Sequence, residues 1–121
     1  MKMHVVNPEV IKYYIAVDPQ NRAVFGCWTA KAEHERVFKP IDIARKLGPA
    51  TSLGIKCSRL VFHINGYRMI CQYAFGRRKV DLLVCWIGTI VEYNELSEVD
   101  RKLIVAVHYT PPNSKAMSIL K

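Results

Sequence analysis

The stretch RLVFHINGYRMICQYAF, residues 59–75, decides the fold, because two apolar runs flank the dipeptide Asn65-Gly66. Asn-Gly favours a two-residue type I′ hairpin turn, since both central residues of that turn need a positive φ. The pattern therefore predicts two antiparallel strands, over residues 59–64 and 67–75. A second turn, Gly76-Arg77-Arg78-Lys79, leads to a third strand over residues 80–87, so the three strands form a meander.

The Asn65-Gly66 turn also fixes the register of the strands, because side chains alternate between the two faces of a sheet. One face is predicted to be apolar throughout, and we expect it to pack against helices. Its predicted pairs are Ile64–Tyr67, Phe62–Met69, Leu60–Cys71, Tyr73–Leu82, Cys71–Val84 and Met69–Trp86.

The opposite face is predicted to be polar at two positions. Arg59 lies across from Gln72, and His63 lies across from Arg68, with one apolar pair between them. Directly opposed side chains have Cβ atoms about 5 Å apart. The sequence therefore predicts one polar cluster made of these four side chains.

Such a cluster holds the groups that cleavage of a phosphodiester needs. A guanidinium binds a phosphate through two hydrogen bonds, and it stabilises the charge that builds up during the reaction. A neutral imidazole accepts a proton from a ribose 2′-hydroxyl, and a neighbouring Arg disfavours the protonated form of His63. The competing interpretation is that His63 is a solvated strand residue and that the Arg side chains serve solubility.

Helix-start signals precede the meander. Asn7-Pro8 and Asp18-Pro19 each place a capping residue before a proline at the first helical position. Gly48-Pro49 ends a third short helix. The predicted elements are an edge strand over residues 2–6, helices over 8–17, 19–34 and 40–47, and a loop over 50–58. A strand over residues 103–109 remains one option for the tail.

The basic residues form one block of the sequence. The chain has 121 residues, with 18 Lys and Arg against 10 Asp and Glu, and a formal charge of +8. Residues 43–80 contain no acid and eight basic residues, which equals the whole net charge. This excess predicts a polyanionic partner, and the alternative is a solvated basic face. The candidate RNA-backbone contacts are Lys56, Gln72, Arg77, Arg78 and Lys79.

The composition excludes several classes of protein. The length fits one small domain. No C-x-x-C pair occurs among the four cysteines, which are Cys27, Cys57, Cys71 and Cys85, so a zinc site is not expected. The longest uncharged apolar stretch, residues 82–91, is half of the 20 or so residues that a membrane span needs. We expect a protein without a membrane segment, a metal or a cofactor, in a reducing cytoplasm.

Two motifs of the predicted sheet resemble those of a known family. Residues 59–68, RLVFHINGYR, are similar to the pattern R-V-V-F-N-I-x-x-x-Y-R-L, and residues 87–94, IGTIVEYN, are similar to V-G-T-H-x-E-Y-D. These patterns are typical of the HigB-like toxins of bacterial type II toxin–antitoxin systems, which are members of the RelE superfamily. The resemblance covers residues 1–96, and residues 97–121 are an extension beyond it.

The resemblance implies an α+β, RelE-like fold, in which two to three N-terminal helices pack on one face of a small antiparallel sheet. It implies an endoribonuclease that cleaves mRNA, usually on the translating ribosome, and a helix-turn-helix antitoxin as partner. By motif match, the candidates for the catalytic site are Arg59, Arg68, Glu92 and Tyr93. We expect the two Arg to bind the scissile phosphate, His63 or Glu92 to act as base, and Tyr93 to shape the site.

One position departs from the family pattern in a way that bears on activity. Ile90 stands where the family usually has His, and His63 stands where Asn is more common. Ile cannot carry a proton, so either the activity is reduced or another group substitutes, and we hypothesise that His63 takes over part of that role. The alternatives are a catalytically impaired RNA- or ribosome-binding module of the same fold, and an interaction protein that docks an acidic partner.

Overall fold

A five-stranded mixed sheet forms the centre of the α+β fold in the computed structural model, which describes residues 1–54 and 56–105. The strand order is β1-β5-β4-β3-β2. The elements in chain order are β1 (Lys2–Val5), α1 (Pro8–Val17), a 3₁₀ turn (Pro19–Asn21), α2 (Arg22–His34), α3 (Pro40–Leu47), β2 (Ala50–Ser52), β3 (Arg59–Ile64), β4 (Tyr67–Phe75), β5 (Lys79–Thr89), α4 (Ile90–Glu95) and α5 (Glu98–Leu103).

The predicted hairpin is confirmed. Asn65 adopts a φ of 52°, in the left-handed region, but Gly66 is not among the residues with a positive φ, so the hairpin and its register are as predicted whereas the type I′ turn is not. The predicted pairs between β3 and β4 are all present, and they include His63 opposite Arg68. Between β4 and β5, the pairs Tyr73–Leu82 and Cys71–Val84 are also as predicted.

The pair Met69–Trp86 is wrong, because β5 contains a bulge. Met69 lies opposite Ile87 and Ile70 lies opposite Trp86, so Cys85 is an extra residue between the paired positions. A bulge places two residues of one strand against one of its neighbour and changes which face the following side chains occupy. Trp86 therefore lies on the outer face of the sheet, whereas the sequence pattern predicts that it faces the helices.

Helices α1, α2 and α3 pack on the opposite, inner face. Their buried residues share one core with inward-facing residues of the strands. Trp28 of α2 packs against Phe62 of β3 with ring centroids 5.3 Å apart. Phe25 meets Tyr67 of β4 at 5.7 Å. The prediction that the N-terminal helices cover one apolar face is confirmed.

The first strand makes the sheet mixed, whereas the prediction was an antiparallel sheet. β1 lies at one edge and runs parallel to β5, with Lys2 beside Lys79 and Val5 beside Leu82. The side chain of Asn7 continues this pairing beyond the strand. It donates to the carbonyl of Val84 and accepts from the Val84 N–H, both at 2.8 Å. The predicted role of Asn7 as a side-chain cap of α1 is therefore wrong, because its amide is bonded to β5.

Three further differences concern local boundaries. The helix predicted over residues 19–34 begins as the 3₁₀ turn and becomes α-helical only at Arg22. The loop predicted over residues 50–58 contains β2, which pairs with β3 at the second edge. The tail option of a strand over 103–109 falls mostly outside the described residues, and Leu103 itself ends α5.

Candidate functional site

Exposed His63 and half-buried Arg68 form a pair at the hairpin end of the outer face. They are direct neighbours across β3 and β4. Oγ1 of Thr51, on the adjacent edge strand β2, lies 3.0 Å from Nε2 of His63 and so orients the imidazole. Partial burial, and secondly the Arg68 guanidinium, lower the pKa of His63 from its ordinary value of 6.5. The imidazole is therefore mainly neutral at pH 7 and has a lone pair with which to accept a proton.

The guanidinium of Arg68 is fixed by the turn on which it lies. Its Nη1 donates to the carbonyl oxygens of Tyr67 at 2.8 Å and Asn65 at 3.2 Å. Within residues 1–54 and 56–105, Arg68 forms no ion pair. Five N–H groups are available on a guanidinium, so those on Nε and Nη2 remain for an anion.

Arg59 does not join this pair, so the prediction of one exposed cluster is wrong. Only 3% of Arg59 is exposed. Its Nη1 donates to the carbonyls of Arg101 at 3.1 Å and Ile104 at 2.8 Å, and its Nη2 donates to Oε1 of Gln72 at 3.3 Å. Both Arg59 and Gln72 are thus engaged within the protein, beneath the segment that contains α5.

An apolar cluster separates Arg59 from His63. Buried Val61, Ile70, Cys85 and Trp86 form its centre on the outer face. The partly buried side chains packed against it are Leu53, Leu83, Tyr93, Leu96 and Ile104. The bulge in β5 and the fold of residues 90–104 back over the sheet produce this cluster. Neither feature is visible in the alternation of the strands.

The motif residues of α4 are bonded within the protein. Glu92 and Thr89 form a capping box, in which Oε1 of Glu92 accepts from the Thr89 N–H at 2.8 Å and the Glu92 N–H donates to Oγ1 of Thr89 at 3.1 Å. The ring of Tyr93 lies between Trp86, at 6.0 Å between centroids, and the guanidinium of Arg101, at 4.1 Å. Glu92 is therefore part of the cap of α4, and Tyr93 is part of the packing between Trp86 and Arg101.

Ile90 lies beside the hairpin turn, because its N–H donates to the carbonyl of Gly66 at 3.0 Å. Its exposed fraction is 36%. The position that carries the family's histidine is thus close to the turn that joins His63 to Arg68. Because Ile90 cannot carry a proton, His63 is the imidazole that lies beside Arg68 on β3 and β4.

The basic turn lies at the other end of the sheet. Gly88, the neighbour of Arg68, lies nine positions after Lys79 on β5, which corresponds to about 30 Å. Arg77, Arg78 and Lys79 are all exposed. Arg78 and Lys79 line a cleft of about 380 Å³ together with Lys2, His4 and Glu33. Lys56 is exposed on the loop before β3.

Several residues that shape the site escape a sequence-based reading. Thr51 lies in a stretch that resembles a loop, and nothing in the pattern indicates that it reaches His63. Gly88 is required because a Cβ there would lie 2.4 Å from Cη2 of Trp86 and 2.8 Å from Oε1 of Glu92. The Tyr67 hydroxyl donates to Oδ2 of Asp18 at 3.0 Å and ties the hairpin to the turn between α1 and α2.

The described part of the chain contains no helix that is both long and apolar enough to cross a bilayer. Comparisons of the chain with protein-family models, with curated proteins and with solved structures give no match in any of the three.

Proposed function

We propose that this protein is an RNA-cleaving toxin with a RelE-like fold and HigB-like character, which acts on mRNA, most effectively on the ribosome. The observation that carries the proposal is the pair of exposed His63 and half-buried Arg68, in which a neutral imidazole adjoins a guanidinium that has no acidic partner in the described chain. The two motifs that resemble the family are the sequence support for the same function.

In this proposal, His63 removes the proton from a ribose 2′-hydroxyl. If Nε2–H donates to Thr51 Oγ1, the free lone pair lies on Nδ1, which is then the basic nitrogen. The 2′-oxygen attacks the adjacent phosphorus, and the bond between phosphorus and the 5′-oxygen of the next nucleotide breaks. That oxygen takes a proton from water and leaves as a 5′-hydroxyl, and the other product ends in a 2′,3′-cyclic phosphate. Nε and Nη2 of Arg68 stabilise the charge on the phosphoryl oxygens.

The basic turn and Lys56 serve as RNA-backbone contacts in this proposal. The basic turn lies about 30 Å from Arg68 along β5, so it binds a different part of the RNA from the scissile phosphate. Contacts of this kind carry no sequence information, and they weaken as the salt concentration rises. The ribosome and a helix-turn-helix antitoxin are the proposed macromolecular partners, and the cytoplasm is the proposed location.

The test is a translation extract programmed with a defined mRNA, to which the purified protein is added. The wild-type protein is expected to produce new 5′ ends within the coding region, detected by primer extension. His63→Ala is expected to lower the cleavage rate by about 10²–10⁴-fold, the usual contribution of a general base. His34→Ala is the matched control, because His34 is an exposed histidine on α2 that is bonded to the Ala30 carbonyl.

Intact mRNA in the presence of wild-type protein would refute the enzyme. Cleavage that is undiminished in His63→Ala would refute the role of this histidine while leaving the activity standing.

A second candidate function is RNA or ribosome binding without cleavage. It is favoured by two observations: Arg59 is bonded to carbonyls of the protein itself, and Ile90 replaces the family's titratable residue. In the same extract, this function predicts intact mRNA together with protein that sediments with ribosomes. Co-sedimentation should weaken steeply between 50 and 200 mM salt if the basic residues bind phosphates.

A further inference from the structure

The buried Arg59 is held by the C-terminal part of the described chain. Its Nη1 binds the carbonyls of Arg101 and Ile104, at the C-terminal end of α5. The last carbonyls of a helix have no partner within the helix and carry partial negative charge. They present oxygen acceptors to the guanidinium in the way that a phosphate would. Residues 97–105 thus occupy, within the same molecule, the place of an anion at Arg59.

This segment is weakly anchored to the rest of the protein. α5 has six residues, none of which is buried. Its large apolar side chains, Val99 and Leu103, are 63% and 66% exposed. Besides the Arg59 bonds, the segment is held by Arg101, which lies over the ring of Tyr93 at 4.1 Å and donates to the Tyr93 carbonyl at 3.1 Å. At its end, partly buried Ile104 packs against the outer-face cluster and Val105 against the main core. Elements with few buried contacts open at low free energy, independently of global unfolding.

Beneath this segment, Arg59 lies on the same face as the His63–Arg68 pair. Arg59 and His63 are four residues apart on β3, which corresponds to about 13 Å. Undocking of residues 97–105 would therefore leave guanidinium groups at two points of one surface. A single RNA strand that lies along β3 and β4 would meet both.

We propose that residues 97–105 form an intramolecular cover over Arg59, and that the form of the protein that binds RNA at Arg59 is the one in which this cover has undocked. The proposal rests on the proposed function, whose site it regulates. The cover competes with the RNA backbone for the same guanidinium. Any change that weakens the cover strengthens RNA binding, provided that Arg59 is present.

Two buried cysteines provide a direct test of undocking in the full chain. Cys85 belongs to the outer-face cluster against which Ile104 packs, whereas Cys71 belongs to the core under the helices. Both are free and buried. Labelling with iodoacetamide, resolved by peptide mass spectrometry, is expected to modify Cys85 faster than Cys71 in the native protein. Equal rates for the two thiols would overturn the cover, because both would then react only through global unfolding.

Arg101→Ala is the variant that loosens the cover, and Lys102→Ala is its control. Arg101→Ala is expected to raise the labelling rate of Cys85 about tenfold and to leave Cys71 unchanged, since it removes a cation–π contact and a charged hydrogen bond. Among the residues that the structure describes, Lys102 pairs with Glu98 at the surface. Lys102→Ala should leave both rates unchanged, and an unchanged Cys85 rate in Arg101→Ala would overturn the cover.

RNA affinity then tests the competition, with a 2′-O-methyl oligonucleotide that cannot be cleaved. Simple electrostatics predicts that both variants bind more weakly, because each has lost a cation. The cover predicts a several-fold gain in affinity for Arg101→Ala and a slight loss for Lys102→Ala. The gain should disappear in the double variant Arg59→Gln/Arg101→Ala.

The outcomes separate this inference from the proposed function. A faster Cys85 rate without a gain in RNA affinity would overturn the role of Arg59 as the covered RNA-binding group. Failure of the wild-type protein to cleave mRNA in the extract would refute the nuclease and leave the labelling result untouched. Equal labelling of the two thiols would remove the cover and leave the nuclease standing.

Discussion

The side chain of Asn7 permits a sharp test of how the N-terminal strand is attached. Its amide makes two hydrogen bonds of 2.8 Å to the backbone of Val84, which is fully buried. Asn7→Ala leaves a buried N–H and a buried carbonyl without partners. At about 1–1.5 kcal/mol for each bond, the expected loss in the free energy of unfolding is about 2–3 kcal/mol.

Asn7→Asp distinguishes a side chain that is hydrogen-bonded to the Val84 backbone from one that caps a helix. An aspartate keeps the bond from the Val84 N–H, but it sets a second carboxylate oxygen against the Val84 carbonyl. We therefore expect Asn7→Asp to be at least as destabilising as Asn7→Ala. A residue whose side chain only capped α1 would behave differently: Asp would be nearly neutral, and Ala would lose about 1 kcal/mol.

Equilibrium urea unfolding, followed by circular dichroism, measures these differences. Asn94 is an exposed asparagine of α4 and serves as the control, because the same substitutions there should change stability by less than about 0.5 kcal/mol. An Asn7→Asp protein as stable as the wild type would refute the hydrogen bonds to Val84 and restore the capping interpretation.

Three further predictions concern the hairpin end of the sheet. Gly88→Ala should lower the free energy of unfolding, measured by urea titration, by about 1–3 kcal/mol, because the new Cβ overlaps the adjacent indole ring. Gly26→Ala is the control and should not be destabilising, because a Cβ there meets nothing within 4 Å. The pKa of His63, followed by NMR, should lie below 6.5. Arg68→Gln should bring this pKa only part of the way back to 6.5, because burial is the larger cause of the shift. If His63 is the base, the cleavage rate should fall as the pH falls through this lowered pKa. Burial and nearby acidic groups raise the pKa of Tyr14 from 10.0 to about 12, so the folded state holds this proton more tightly than the unfolded state. The stability that the protonated hydroxyl contributes below pH 10 should therefore be lost between pH 10 and 12. Tyr14→Phe should show a smaller loss of stability over this alkaline range.

The local elements of this fold were predictable because local chemistry determines them. The turn at Asn65-Gly66, in which Asn65 has a positive φ, places His63 opposite Arg68, and the resulting register is confirmed over the whole of β3. The helices that begin at Pro8 and Pro40 were predicted from residues within one turn of their starts. For these elements, the few residues that allow the prediction are the same residues that form the element.

The errors arise where distant parts of the chain decide the outcome. The bulge at Cys85 sends Trp86 to the outer face, although the alternation of β5 gives no sign of it. The burial of Arg59 depends on carbonyls more than 40 residues away along the chain. Sequence motifs indicated which residue types lie on the sheet, but they did not indicate which of those side chains would be covered.

The position of β1 bears on how the protein matures during synthesis. Asn7 and Val84 are 77 residues apart, and the strand that includes Lys2 has its ladder partner in β5, besides an isolated bridge to Arg36. A ribosome therefore synthesises all the residues from β1 to β5 before the first strand acquires this neighbour. Such non-local, parallel pairing is slow to form, so β1 stays without its ladder until β5 has been synthesised, and the sheet is completed late.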